Sequence, residues 1–125
     1  MSDQHTVEQV ARVIHAANRV LQQIQGDPRP SRPWDECDPV MRANAIAGVE
    51  HARDSACGAE ESHERWRSHL SSQGWTYGQV KDTAARTHPC LLPWSALPDC
   101  QQVKDRMFVA MVAALMPAAD RERVL

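Results

Sequence analysis

The sequence predicts a mainly helical, compact single domain of four helices, with short extended segments around one glycine-bracketed aromatic stretch. Three observations predict it. Apolar residues recur at three- and four-residue steps in four separate windows. Each window is bounded by glycine or proline at a position where a helix starts or stops. The stretch Gly74-Trp75-Thr76-Tyr77-Gly78 carries the only strand-like alternation that stands out.

The first helix spans about Thr6 to Gln25. Val7, Val10, Ile14, Ala17, Leu21 and Ile24 form its apolar stripe, and Gly26 ends it. His15, Asn18, Arg19 and Gln22 make a polar strip beside that stripe, either an ordinary helix shoulder or one wall of a site. The segment from Asp27 to Pro39 is proline-rich and holds Trp34, which predicts an ordered loop, since a tryptophan is rarely left in a flexible one. Asp38-Pro39 opens a second helix to about Ser55, with Val40, Ala43, Ile46 and Ala47 as its small apolar face.

A third helix covers about Ala59 to Gln73, with Glu60 and Glu61 in its first turn and Ala59, Trp66 and Leu70 facing inward. His63 falls in the middle of that face, where a histidine is more often a hydrogen-bonded core residue than a site residue. After the extended Trp75–Tyr77 piece, a helical turn or two is expected between Gln79 and Thr87, closed by His88-Pro89. The last helix runs from about Pro98 to Met116, with Val103, Met107, Phe108, Met111, Ala114 and Leu115 in its apolar arc. Lys104 projects into that arc. It must snorkel outward, meet a carboxylate such as Asp82, or face a cleft that receives an anion. No long-period repeat is visible, only a four-residue echo between Gln79–Asp82 and Gln102–Asp105.

The chain has 125 residues, 42% of them hydrophobic, and a net charge of −2. That suits one domain over residues 1–125 and offers no general basic field for nucleic acid or an anionic membrane. No apolar run is long enough to span a bilayer, and no signal-like segment opens the chain, so a cytoplasmic protein is expected. Cys37, Cys57, Cys90 and Cys100 lack paired spacing and are expected to be free thiols. Neither they nor the six histidines have metal-ligand spacing. No metal or cofactor is therefore expected.

The residues from His63 to Asp105 follow one uncommon order. His63 and Trp66 come first, then Gly74, Trp75, Tyr77 and Gly78, then Lys81-Asp82. His88, Pro89, Leu91, Pro93 and Trp94 follow, then Leu97-Pro98, then Lys104-Asp105. This order resembles the ryanodine-receptor repeat, the RyR domain. The resemblance is strongest over 63–105. The segment 6–39, a helix and a proline-rich loop, resembles the lead-in of short single-copy RyR proteins of bacteria and bacteriophages. The receptor carries its units in tandem with phosphorylation loops; this chain has one unit and no such loop, so neither kinase regulation nor channel activity carries over. A homodimer that mimics the tandem pair is one expectation.

The resemblance implies a mainly helical fold and a non-enzymatic domain that binds a small nucleotide-derived anion, sensing it or, in a phage protein, sequestering it. On the residues, Trp34, Trp75 and Tyr77 suit base stacking, Arg19, Lys81 and Lys104 suit phosphates, and Asn18, His63 and His88 suit directional hydrogen bonds. The plainer alternative puts the tryptophans in the core and pairs the lysines with Asp82 and Asp105. A second class of function is a protein-interaction module, using an apolar patch and the methionines Met107, Met111 and Met116 of the last helix. An enzyme is not expected, because no motif here carries a reaction mechanism.

Overall fold

The computed structural model describes residues 5–55 and 58–116. Four helices are present: α1 (Val7–Ile24), α2 (Pro39–Ser55), α3 (Ala59–Ser72) and α4 (Asp99–Leu115). Strands β1 (Thr76–Tyr77) and β2 (Thr87–His88) lie between α3 and α4, and single 3-10 turns at Trp34–Glu36 and Trp94–Ala96 precede α2 and α4.

Local chemistry sets the helix ends. The Thr6 hydroxyl accepts from Gln9 N–H at 3.1 Å while the Gln9 amide accepts from Thr6 N–H at 2.8 Å, a reciprocal cap. Gly26 follows α1 at φ +72° and Gly74 follows α3 at φ +89°, the left-handed conformation that glycine adopts at little cost. The Asp38 carboxylate accepts from Val40 N–H at 2.8 Å and caps α2.

Two apolar clusters form. The larger joins Val10, Ala11 and Ile14 of α1, Trp34, Val49 and Ala52 of α2, and Val112 of α4. The smaller joins Leu70, Trp75 and Leu91, with Met41 and Trp66 packed against it. α1 packs on α2 and α4, while α3 packs on α4 and less extensively on α2. Of the expected stripe of α2, Ile46 packs against the larger core, together with Ala45, Val49 and Ala52, whereas Ala43 is exposed. Val40 is left 57% exposed, because its place in the first turn lies beyond the helices that cover the rest.

The segment from Gln79 to Thr87 is not helical. Asp82 and Thr87 exchange both backbone hydrogen bonds, and the Asp82 carboxylate accepts from Ala84 and Ala85 N–H. Arg86 takes a left-handed φ of 57°. An aspartate that satisfies the backbone locally favours a turn over a helix. The turn brings β2 back parallel to β1, with Thr76 opposite Thr87 and Tyr77 opposite His88. Gly78 is required beside this pair, since a Cβ there would stand 2.6 Å from Thr87 Cβ.

The two halves of the chain repeat one layout that the sequence hides. His15 of α1 donates through Nε2 to the Arg32 carbonyl at 2.6 Å and stands edge-on to Trp34, with ring centroids 5.7 Å apart. His63 of α3 donates through Nε2 to the Leu92 carbonyl at 2.7 Å and lies against Trp94, centroids 5.9 Å apart. In each half the accepting carbonyl is two residues before the tryptophan, and the helix-ending glycine is eleven residues after the histidine. Each Pro-Trp pair then opens a 3-10 turn leading into a helix of 17 residues. Pro33 stands seven positions after Gly26, whereas Pro93 stands nineteen after Gly74. The second half thus carries twelve extra residues, and they supply the β1–β2 ladder.

Candidate functional site

The four helices enclose a cleft of about 300 Å³ between the two apolar clusters. Every helix contributes to its wall, including Asn18 from α1, Asn44 from α2, His63 and Trp66 from α3, and Lys104 from α4. The long second connection adds Lys81, His88 and Cys90. The two connections meet where Lys81 Nζ donates to Ser31 Oγ at 3.4 Å and Arg29 donates to the Lys81 carbonyl at 3.3 Å.

Lys104 does not meet Asp82; it lines the cleft. Its ammonium donates to Gln101 Oε1 at 3.2 Å, one helical turn earlier. Asp82 is spent on its own turn. Among the described residues no lysine lies within 4 Å of a carboxylate, so Lys81 and Lys104 have only neutral partners. Burial lowers the Lys81 pKa; Asp27 opposes the shift and the Lys104 charge adds to it.

The histidines are fixed by their neighbours. His63 is 2% exposed, with Nε2 bonded to the Leu92 carbonyl and Nδ1 3.6 Å from Asp105 Oδ2. It is a satisfied buried residue and part of the cleft wall at once. Burial pushes the Asp105 carboxyl up to about 6, against the opposing pull of His63 and Lys104. His88 accepts from Cys90 N–H through Nδ1 at 3.0 Å. Burial, then the charges of Lys81 and Lys104, push His88 down to about 4. It is therefore neutral at pH 7 and carries its proton on Nε2. Burial likewise pushes the Cys90 thiol up to about 11, and it donates to Gln101 Oε1 at 3.3 Å.

Of the nine residues singled out in the sequence, Asn18, His63, Lys81, His88 and Lys104 line this cleft. Asn18 Oδ1 is buried there without a hydrogen-bond partner. Trp34 is 8% exposed and lines an adjoining lobe. The other three line neither space. Arg19 donates to the Ser31 carbonyl at 2.9 Å and ties α1 to the loop. Trp75 is buried at the centre of the smaller apolar cluster, its ring spent on packing. Tyr77 is 51% exposed on the outer ladder.

Sequence reasoning missed Gln101, which joins Lys104 to Cys90, and the hydrogen-bond network of Asn44, His69 and Gln73, of which Asn44 and His69 line the cleft. Gln101 was findable as the residue one turn before Lys104; the network brings together residues from two helices and has no local signature. Cys37, Cys90 and Cys100 are free thiols, and Cys57 lies outside the described residues. Among the described residues, no cluster of histidine, cysteine and carboxylate side chains could hold a metal, and no helix is long and apolar enough to cross a membrane.

Fold and cleft together describe a small, mainly helical domain with a partly open cleft of mixed polar and apolar lining between its helices. The chain belongs to the RyR domain family, whose pattern matches residues 48–119, more than half of its length. The match begins inside α2, so α1 and the first connection, which supply Asn18 and Ser31 to the cleft, precede it.

Proposed function

We propose that this RyR domain binds a small nucleotide-derived anion in the cleft between Lys81 and Lys104, without catalysing a reaction on it. One observation carries the reading: two ammonium groups share a partly buried cleft and neither has a carboxylate partner among the described residues. Two like charges brought together at reduced solvation are costly, and a bound anion offsets that cost. The neutral Nε2–H of His88 adds a directional donor. The resemblance to single-copy bacterial and bacteriophage members supports sensing or sequestering as the role.

Thermal unfolding against nucleotides, cyclic dinucleotides and ADP-ribose derivatives tests this. A ligand at one hundred times its dissociation constant adds about 2.7 kcal/mol, a shift of several degrees in Tm. Lys104→Met should abolish the shift. Because it relieves the repulsion, it should leave the unliganded fold as stable or more so. No shift with any of these compounds would sink the reading.

A second reading, an interaction module, rests on exposed apolar residues, but on a different helix from the one expected. Met111 and Met116 of the last helix pack against the larger core. Of the exposed large apolar residues, three lie on α1, Val13, Val20 and Ile24, at 47, 53 and 75%; Val40, Tyr77 and Val80 lie elsewhere. Sedimentation that changes with Val20→Lys would favour this reading, and unchanged sedimentation would count against self-association through this face.

A further inference from the structure

The cations of this chain are unevenly divided. It has 14 lysine and arginine residues, and only Lys81 and Lys104 are lysines. Both line the cleft. An arginine side chain stays charged in a protein, whereas a lysine gives up its proton where its surroundings disfavour the charge. The only side-chain amines of the chain thus stand in one interior wall.

Lys81 is placed to react. It is half-buried and lines both the cleft and an adjoining lobe of about 460 Å³. Its Nζ meets the Ser31 hydroxyl at 3.4 Å. Ser31 is itself held by Gln22: its Oγ accepts from Gln22 Nε2 at 3.1 Å, and its N–H donates to Gln22 Oε1 at 2.7 Å. The hydroxyl proton is then free to be donated to Lys81 when the amine is neutral. Asp105, the carboxylate of the cleft wall, stands 3.6 Å from His63 and beyond 4 Å of either lysine. Burial favours the neutral amine of Lys81 most, and the Lys104 charge adds to it; Asp27, and Cys37 and Cys90 when ionised, oppose them. A lysine desolvated beside a second cation is the arrangement that makes an amine nucleophilic near neutral pH.

We infer that Lys81 condenses reversibly with a small aldehyde that carries a phosphate, the phosphate lying toward Lys104. The Lys81 lone pair attacks the carbonyl carbon, and a proton passes from nitrogen to oxygen to give a carbinolamine. Loss of water leaves an imine, with no oxidant or reductant consumed. The adduct is a stoichiometric modification of the chain. Only its phosphate half rests on the anion-binding reading above; the reactive amine stands on Lys81 and its surroundings.

Pyridoxal 5′-phosphate and 5′-deoxypyridoxal, the same aldehyde without the phosphate, test this on the full chain. Borohydride fixes the imine as a stable amine, and peptide mass mapping reads how fast each lysine is labelled, with rates normalised to free lysine. Pyridoxal 5′-phosphate should label Lys81 several-fold faster than Lys104, and 5′-deoxypyridoxal should label Lys81 several-fold more slowly. Lys104→Met should slow the labelling of Lys81 by pyridoxal 5′-phosphate, and Lys104→Arg, which keeps the charge, should restore it. Lys81 labelled no faster than Lys104 by either aldehyde overturns the inference and leaves the anion site standing. Lys81 labelled fast and equally by both aldehydes, or undiminished in Lys104→Met, overturns the place given to the phosphate and counts against the anion site, while the reactive amine stands.

Discussion

The two halves of this chain use the same clamp for different ends. In each, a helix histidine holds the carbonyl two residues before a Pro-Trp turn and packs on that tryptophan. In the first half the connection is short, Trp34 is buried in the larger core, and His15 of the clamp reaches the edge of the cleft as well. In the second half twelve extra residues intervene, Trp94 stays half-buried, and the clamp closes one wall of the cleft. The comparison teaches that the longer connection brings polar side chains to the cleft wall: Lys81 and His88 lie in it, His88 on the β1–β2 ladder itself.

The largest expected effect breaks the clamps one at a time. His63 is buried, bonded at one nitrogen and close to Asp105 at the other. His63→Ala should cost about 3 kcal/mol in urea unfolding, since it opens a cavity and leaves the Leu92 carbonyl and Asp105 without a partner. His15 is only half-buried, so His15→Ala should cost about 1 kcal/mol. Equal losses would mean that the two clamps are equivalent and that the second owes nothing special to the cleft.

A smaller effect isolates the insertion. Gly78→Ala puts a Cβ against Thr87 and should cost about 1–3 kcal/mol, with ligand affinity falling further because Lys81 and His88 shift with the ladder. Gly26→Ala in the first half meets no neighbour and should cost about 1 kcal/mol, from its positive φ alone. Affinity that survives Gly78→Ala unchanged would separate the ladder from the site.

The smallest effect is a pH dependence confined to the second half. The Asp105 carboxyl, held near 6 against an ordinary 3.8, favours the fold at acid pH, and that contribution is lost as pH rises from about 4 to about 6. His88, held near 4 against 6.5, acts in reverse: stability is lost as pH falls from about 6.5 to about 4. The two slopes oppose each other in one window. Relative to the unaltered protein, Asp105→Asn should become less stable on acidification through that window and His88→Gln more stable, each on the order of 1–2 kcal/mol. Urea midpoints at pH 4.5 and 7.5 would show it, and parallel pH profiles for all three proteins would refute it.

Much of the architecture was legible in the sequence because it is written locally. Thr6, Gly26, Asp38-Pro39, Gly58 and Gly74 mark helix ends through backbone chemistry that does not depend on distant residues. Lys104 was legible as an anomaly because a charge on an apolar arc is costly wherever the arc packs. The rest depended on tertiary partners. Trp75 and Trp34 carry the same ring and both are buried in core clusters, yet only Trp34 also lines a cavity, a difference set by their tertiary neighbours. The Gln79–Thr87 turn defeated helix periodicity because one carboxylate, Asp82, satisfies two backbone donors. The repeated clamp stayed hidden because its halves share little beyond a histidine, a glycine and a Pro-Trp pair, and the insertion destroys any fixed period.

Every helix and both connections give at least one side chain to the cleft wall. No fragment of the chain holds the whole cleft wall, so occupancy of the cleft would be linked to global folding. A ligand seated there slows backbone hydrogen exchange in each element that opens only by global unfolding, including the far turns of α4, and does so by the same factor. The expected outcome for a cleft ligand is therefore a uniform tightening of the molecule rather than the closing of one part.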